Sequence, residues 1–427
     1  MYNKGNFFPF FIGFLEVIMK VFADLHIHIG RAGNNKPVKI TASKDLTFEN
    51  IVKTAAHTKG LSLIGIIDCA SPYVISDIKE FLKNNIAYEQ KQGGIIYDNK
   101  ICVLLGSEVE TEEIDEKGQK GLAHNVCFFK YLKDIEKFSN IMQKYITNIT
   151  LSTQHARLSG YELIDIVSEC NGILIPAHIF TPFKSYYGNC TDRLKNIFKE
   201  KLCKIKAIEL GLSADTFLAD TISELKDFKF LTNSDAHSLP KIAREYNLLE
   251  LEDISFEAFE KLINAEGVKG DEKNYIISNY GLNASLGKYN RTYCDGCESL
   301  STIIQEEKIL KNGNKKITNK CIKCGSNKIV KGVQDRIEEI SDQKLKSPKD
   351  RPPYIYQVPL EFIPKVGKKT YSKMLEIYLT EMNVLHKVKI EDLKEDFGLD
   401  ISNKILDMRN NNLKFKAGGG GNYGNIL

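Results

Sequence analysis

The sequence predicts an α/β fold: a barrel-like domain of alternating strands and helices with mainly parallel strands, then a small zinc ribbon, then a helical C-terminal region. Three observations predict it. Up to about residue 260, short apolar runs with strand character alternate with longer helix-like stretches, the pattern of a βα-built domain. Two C-x-x-C pairs, Cys294/Cys297 and Cys321/Cys324, stand 23 residues apart, the spacing of a four-cysteine zinc ribbon. Beyond them lie helical patterns at Thr370 to Met382 and Ile390 to Met408.

In chain order, residues 1–18 are strongly apolar, but they lack a small-residue cleavage site and fall short of the roughly 20 apolar residues of a membrane helix. Met19 offers an alternative start, so 1–18 reads as an apolar leader or a misassigned extension, the other option being an extra helix or strand packed on the domain. The barrel-like domain occupies 19–290. Its predicted strands are Val21–Leu25, Leu61–Ile67, Ile101–Leu105, Val126–Phe129, Ile173–Ile175, Ala207–Leu210 and Phe228–Leu231. One helix has a clean start: Ser159 followed three residues later by Glu162 forms a capping box ahead of Leu163, Ile164 and Ile166. The ribbon spans 291–333 and the helical region 334–427; within the latter a segment containing Arg351-Pro352-Pro353-Tyr354 leads into the first helical pattern, and Gly418–Gly421 lie near the end.

Composition excludes a disordered or membrane-embedded chain, since 42% hydrophobic and 27% charged residues are ordinary for a soluble protein. Its net charge of +4 is unevenly spread. From Arg291 onward there are 25 Lys and Arg against 18 Asp and Glu, so the basic surplus lies at the C-terminal end. Between Lys308 and Gln334 there are eight lysines and no acidic residue. A rigid ribbon carrying such a loop can lay ammonium groups along a phosphate backbone, which makes Lys311, Lys315, Lys316 and Lys320 candidate DNA contacts. The plainer reading is a solvated lysine face. Six of the ten cysteines are scattered singly through apolar stretches, as in a reduced, cytoplasmic protein.

Chemistry is signalled by where histidines and carboxylates fall relative to the strands. His26 and His28 follow the first strand, Asp68 ends the second, Glu108 follows the third, His178 the fifth, and Asp235 and His237 the seventh. Residues just past the C-terminal ends of parallel barrel strands converge on one face, where active sites form. His124 is the exception, because it opens its strand. One such histidine is commonly structural; five with three carboxylates point to a multinuclear metal centre. In extended chain, His26 and His28 project the same way, as do Asp235 and His237. The donor set suits two or three divalent ions, Zn, Mn or Fe in preference to Mg. A carboxylate such as Glu108 can bridge two ions, and Glu108, Asp235 and His237 are the predicted catalytic residues. Clustered divalent ions at such a centre imply phosphate-ester hydrolysis. Ser213 and Asn233, just past two strands, are pocket candidates able to read a base edge, with Asn233 alternatively orienting the Asp235 loop.

Asp24-Leu25-His26-Ile27-His28, Pro176-Ala177-His178 and Asn233-Ser234-Asp235-Ala236-His237 resemble the PHP family, named for polymerase and histidinol phosphatase. The resemblance implies a distorted seven-stranded β/α barrel with a trinuclear site. One metal is then held by His26, His28, Glu108 and Asp235, a second by Glu108, His124 and His178, and a third by His237 with a residue near Asp68. The chain departs from the family at this third metal: Cys69 follows Asp68 where His is usual, and no His lies between His28 and His57. Asp68 or Cys69 is left to hold it.

A narrower resemblance covers nearly everything from Met19. PAHIFTPF at Pro176–Phe183, ELGLSAD at Glu209–Asp215, GLNASLGKY at Gly281–Tyr289, the C-x-x-C pairs, GVQDRI at Gly332–Ile337, RPPY at Arg351–Tyr354 and the Gly-rich terminus are together similar to the endonuclease Q family. One departure is Phe183, where archaeal members are expected to carry Trp. The resemblance implies a DNA-repair endonuclease that flips a deaminated nucleotide from the duplex and hydrolyses the phosphodiester on its 5′ side, the Gly-rich end near nucleic acid. A sliding-clamp partner cannot be read from sequence. The alternatives are a small-molecule phosphatase, which leaves the ribbon unexplained, and a DNA-binding protein with an inactive barrel, against which the near-complete ligand set argues.

Overall fold

Seven strands form the barrel, and they are the seven marked by the apolar runs: β1 (Met19–Ile27), β2 (Leu63–Ile66), β3 (Ile101–Ile114), β4 (Lys120–Phe129), β5 (Gly172–Pro176), β6 (Ala207–Glu209) and β7 (Lys229–Leu231). The computed structural model describes residues 19–115, 118, 120–287, 289–309, 315–416 and 424–426; the apolar leader, Lys311 and Gly418–Gly421 lie outside the described residues.

β1, β2 and β3 are parallel neighbours, as are β6 and β7. The Ile179 amide joins β5 to β6 by donating to the Glu209 carbonyl at 3.0 Å, and Ile27 bridges Ala236 to close β7 onto β1. The barrel is distorted, with a register shift between Asp24 and Ile27 where β1 meets β2. The expectation of mainly parallel strands needs one correction. β4 runs antiparallel to both β3 and β5. Only five residues separate β3 from β4, and a parallel pair needs a crossover of a dozen or more.

All seven strands contribute to one buried cluster, with Leu25, Leu63, Leu104, Phe128, Ile175, Ala207 and Leu231 among its members. With β7 closed onto β1, this shared cluster is the interior of the barrel. Phe256 and Phe259 of the helix Phe256–Asn264 join the same cluster. Gly65 makes room for it, since a Cβ there would lie 2.7 Å from the Phe128 ring. Outside the barrel, the helix Gly160–Glu169 starts at the predicted capping box: Ser159 accepts from the Glu162 amide, and the Glu162 carboxylate accepts from the Ser159 amide at 2.8 Å.

β1 has a second partner. Its first half pairs antiparallel with β8 (Tyr246–Leu251), which pairs with β9 (Tyr275–Gly281), which in turn pairs with Tyr354–Tyr356. The RPPY segment is thereby fastened beside the barrel. Arg351 is buried there, donating to Asp220 at 2.9 Å and to the Leu225 carbonyl at 3.0 Å while stacking on Phe230.

In the ribbon, Ile303–Ile309 and Lys315–Cys321 form an antiparallel hairpin. The two C-terminal helical patterns each divide: Lys368–Tyr378 and Glu381–His386 part at Leu379, and Ile390–Phe397 and Leu399–Arg409 part at Gly398, whose φ of +82° ends a helix. This region docks on the barrel through a buried Lys59–Glu381 ion pair at 2.6 Å and through His386, stacked on Phe22 and bonded to the Tyr246 hydroxyl at 2.6 Å. Among the described residues no helix is long and apolar enough to cross a membrane.

Candidate metal centre

Because β4 runs antiparallel, its opening end lies on the rim where the parallel strands finish. His124 is brought there, with Glu110 of β3 as its register partner and its carbonyl accepting from Ala177 just past β5. The exception in the sequence pattern is a consequence of topology.

Three groups of side chains each offer ligand atoms within 4.8 Å of one another: His26, His28 and Glu108; Glu108, His124 and His178; and His28, Asp235 and His237. Glu108 sits at the middle. Its Oε1 lies 3.6 Å from His26 Nε2, 2.8 Å from His124 Nδ1 and 3.4 Å from His178 Nε2, and its Oε2 lies 3.6 Å from His28 Nε2. Asp235 Oδ1 lies 3.5 Å from His26 Nε2 and 3.4 Å from His28 Nε2. Asp235 reaches its place through a strained backbone, with φ of +46°.

The residues fit divalent metals on three grounds. His26 Nε2 is buried without a hydrogen-bond partner, although burying a polar nitrogen unsatisfied is costly, and His124 Nδ1 faces the Glu108 carboxylate at 2.8 Å. Their opposite nitrogens are held from behind: His26 Nδ1 by Glu209 at 2.9 Å, His124 Nε2 by Glu110 at 3.2 Å, and His28 Nδ1 by Asp68 at 3.1 Å. That is how metal-binding imidazoles are oriented. The centre also has surplus negative charge. Burial disfavours a charged imidazole at His26, yet Glu209, Asp235 and Glu108 outweigh it and push its pKa up to about 10. Burial likewise works against the Glu108 carboxylate, but His124 and Lys39 hold it well below the usual carboxylate range. Cations bound here would satisfy the same charge. His237, by contrast, is held at about 4 by burial and by His28, and is a neutral donor.

The third-metal expectation meets a different arrangement. Asp68 lies behind His28, accepting also from the Ile29 amide at 2.6 Å, and it belongs to none of the three groups. Cys69 is fully buried, its thiol donating to the Ile66 carbonyl at 3.1 Å and its pKa raised by burial, which makes it a core residue and a poor ligand. Two participants escaped the sequence reading. Glu209 ends β6 and obeyed the strand-end rule; it binds His26 and accepts from the His178 amide at 3.1 Å. Lys39, with no sequence signal of its own, places its Nζ 3.1 Å from Glu108 Oε2.

Above the centre opens a cavity of about 640 Å³ lined by the candidate ligands other than the fully buried His26, together with Ser213, Asn233, Phe183 and Tyr289. Asn233 Oδ1 accepts from the Leu25 amide at 3.0 Å and from Asn247 Nδ2 at 3.0 Å. The backbone N–H fixes which end of the amide is oxygen, so the amide nitrogen is the end left to a ligand. Gly287 lets its loop close over Ser213, since a Cβ there would fall 2.1 Å from Ser213 Oγ. Tyr289 then meets Phe183 edge-on at 5.7 Å, with Phe183 half exposed at the rim.

In the ribbon, Cys294, Cys297, Cys321 and Cys324 bring their sulfurs within 4.8 Å of one another, as a tetrahedral Cys₄ site requires. Lys320 forms an ion pair with Glu306 at 2.6 Å, an acid that the hairpin carries across from the other strand. Lys315 and Lys316 lie on the strand opposite Ile309 and Lys308.

No protein-family model matches the chain. YqxK of Bacillus subtilis, an uncharacterized protein, is 42% identical over 410 residues, 95% of this chain and 99% of YqxK. The crystal structure of the lesion-specific endonuclease PfuEndoQ from Pyrococcus furiosus is similar with a TM-score of 0.77 and 32% identity, covering 96% of this chain and 95% of that one. Endonuclease Q in complex with a 27-mer duplex substrate, an abasic lesion at its active site, is similar with a TM-score of 0.77 and 31% identity, covering 96% of both chains. Identity above 30% carried along nearly the whole of both chains establishes the relationship: the chain belongs to the endonuclease Q family.

Proposed function

We propose that this chain is a metal-dependent endodeoxyribonuclease that cuts duplex DNA on the 5′ side of a deaminated base, chiefly uracil or hypoxanthine, with xanthine and abasic sites as further substrates. The observation that carries the reading is a polynuclear ligand set at the floor of a cavity of about 640 Å³, room for one extruded nucleotide. The relative crystallised with an abasic duplex at its active site supports DNA as the substrate class.

Divalent ions would be held by His26, His28, Glu108, Asp235, His124, His178 and His237, and would supply Lewis acidity, water activation and alignment of the phosphate. The protein groups fix the geometry around them. Glu209, Asp68 and Glu110 hold the imidazoles of His26, His28 and His124 in single orientations. Asp235, 31% exposed at its side chain, faces the solvent side where substrate arrives. Water adds to phosphorus as the bond to the 3′ oxygen breaks and that oxygen takes up a proton, leaving a 3′-hydroxyl and a 5′-phosphate. Asn233 would discriminate against cytosine and adenine, its amide N–H pairing with a keto oxygen. Deamination puts such an oxygen where cytosine and adenine carry an amino group, which would meet the amide donor to donor. A ribbon zinc would be structural, and Lys311, Lys315, Lys316 and Lys320 would follow the phosphate backbone.

The test uses end-labelled duplexes carrying one deoxyuridine, deoxyinosine or abasic site, with and without chelator. One nick 5′ to the lesion, lost on chelation and absent from undamaged duplex, is expected. Cleavage indifferent to lesion or to chelator would refute the proposal.

A further inference from the structure

Lys39 is a partly buried cation at the centre, set against the candidate ligand Glu108. Its side chain is 13% exposed, and its Nζ donates to Glu108 Oε2 at 3.1 Å and to Thr153 Oγ1 at 2.5 Å. The backbone beneath it is pinned: its amide donates to the Ile29 carbonyl at 2.9 Å, directly past β1, and the Ser152 amide donates to the Val38 carbonyl at 3.0 Å. Lys39 also lines the cavity, so its ammonium is rigidly placed and open to a ligand.

The neighbouring ligands do not add up to three complete metal sites. His28 enters two of the three groups, but its Nδ1 is engaged by Asp68, so only Nε2 is left, and one nitrogen serves one ion. With His28 given to the ion it shares with His26 and Glu108, His237 has Asp235 as its one remaining partner in that group. Neither Asp68 nor Cys69 completes it, for the reasons given above. Lys39 sets its ammonium against the shared carboxylate, 3.1 Å from Glu108 Oε2, whereas the guanidinium of Arg244, which also lines the cavity, is turned to the Asp235 carbonyl at 3.2 Å.

We propose that Lys39 takes the place of a third catalytic metal, so that two divalent ions and one fixed ammonium together contact the phosphate undergoing hydrolysis. The idea rests on the phosphodiesterase reading above. An ammonium supplies charge and hydrogen bonds to non-bridging oxygens, needs no loading, and stays put when divalent ions are scarce.

The test begins with a count made without substrate. The full-length protein is stripped with chelator and reloaded with Mn²⁺, and bound manganese and ribbon zinc are measured separately by mass spectrometry. Two Mn²⁺ per chain are expected in wild type and in Lys39→Met, an uncharged variant of similar length. Turnover is then followed on bis(4-nitrophenyl) phosphate and on a deoxyuridine duplex. Lys39→Met should lower kcat by about 100-fold, the scale of losing one preorganised electrostatic contact, while Lys39→Arg, which keeps the charge, should retain most of it. Three Mn²⁺ in wild type, a Lys39→Met enzyme as fast as wild type, or loss of one Mn²⁺ from Lys39→Met would each overturn the proposal. Should wild type cleave the small diester but leave the duplex whole, the DNA reading fails while the metal count and the Lys39 comparison still stand.

Discussion

Replacing Glu209 by Ala tests whether the imidazoles act as ligands oriented from behind. The carboxylate is buried; it accepts from His26 Nδ1 at 2.9 Å and from the His178 amide at 3.1 Å, and so braces residues of two different metal groups at once. Its removal leaves the His178 N–H unpaired in a buried setting, at a cost of about 1–3 kcal/mol, and frees the His26 ring to rotate or exchange tautomer. Loss of such outer partners typically weakens metal binding about 10- to 100-fold, or about 1.4–2.7 kcal/mol. Titration of chelator-stripped protein with Mn²⁺ by calorimetry should show that loss, with the ribbon zinc unaffected. Glu209→Gln should fall between wild type and Ala, since its one oxygen can still accept from both donors while the charge is lost and the amide NH2 takes the place of the oxygen 3.1 Å from His26 Nδ1. If Glu209→Ala bound Mn²⁺ as tightly as wild type, His26 would not be a ligand held through Nδ1, and the first metal group would have to be redrawn.

Asp235→Ala should abolish cleavage while leaving the circular dichroism spectrum and thermal transition close to wild type, since the barrel is held by its interior cluster; a wild-type rate would remove Asp235 from the centre. Replacing Cys294 and Cys297 by Ser should release about one zinc per chain and expose the ribbon to protease, because structural zinc supplies much of the folding energy of so small a unit; unchanged zinc content would refute the Cys₄ site. Glu245 gives a pH signature. Burial pushes its pKa up to about 8, so the folded state keeps a proton that the unfolded state has already released, and stability falls as pH rises from the ordinary Glu range to about 8 before levelling. Glu245→Gln removes that penalty; its melting temperature should pull ahead of wild type across this window, and a constant difference would contradict the assignment.

The parts of the molecule legible in the sequence were those set by local pattern. Seven apolar runs named the seven barrel strands, and strand ends named His26, His28, Glu108, His178, Asp235 and His237, because period and burial are written along the chain. What depends on direction was not legible. His124 looked misplaced until β4 was seen to run antiparallel. Glu209 obeyed the strand-end rule, but nothing local separates a brace from a ligand. Lys39 sits in a stretch without periodic signal and reaches Glu108 across 69 positions of sequence. The lysine-rich loop seemed free of acids because charge was counted along the chain, whereas the hairpin sets Glu306 beside Lys320.

The split allegiance of β1 has a thermodynamic consequence. Its last residues carry His26 and lead straight into His28, its first residues hold β8, and Phe22 among these receives His386 from the C-terminal helices. Ions bound at one end and helices docked along the other therefore stabilise the same strand. Free energy gained by ion binding becomes resistance of the docked helices to opening, worth about 2.7 kcal/mol when free ion stands at a hundredfold its dissociation constant, if opening abolishes binding. Stripping the ions should thus loosen amides in the helices Lys368–Tyr378 and Glu381–His386, far in sequence from any ligand, and hydrogen exchange on loaded and stripped protein would display that coupling residue by residue.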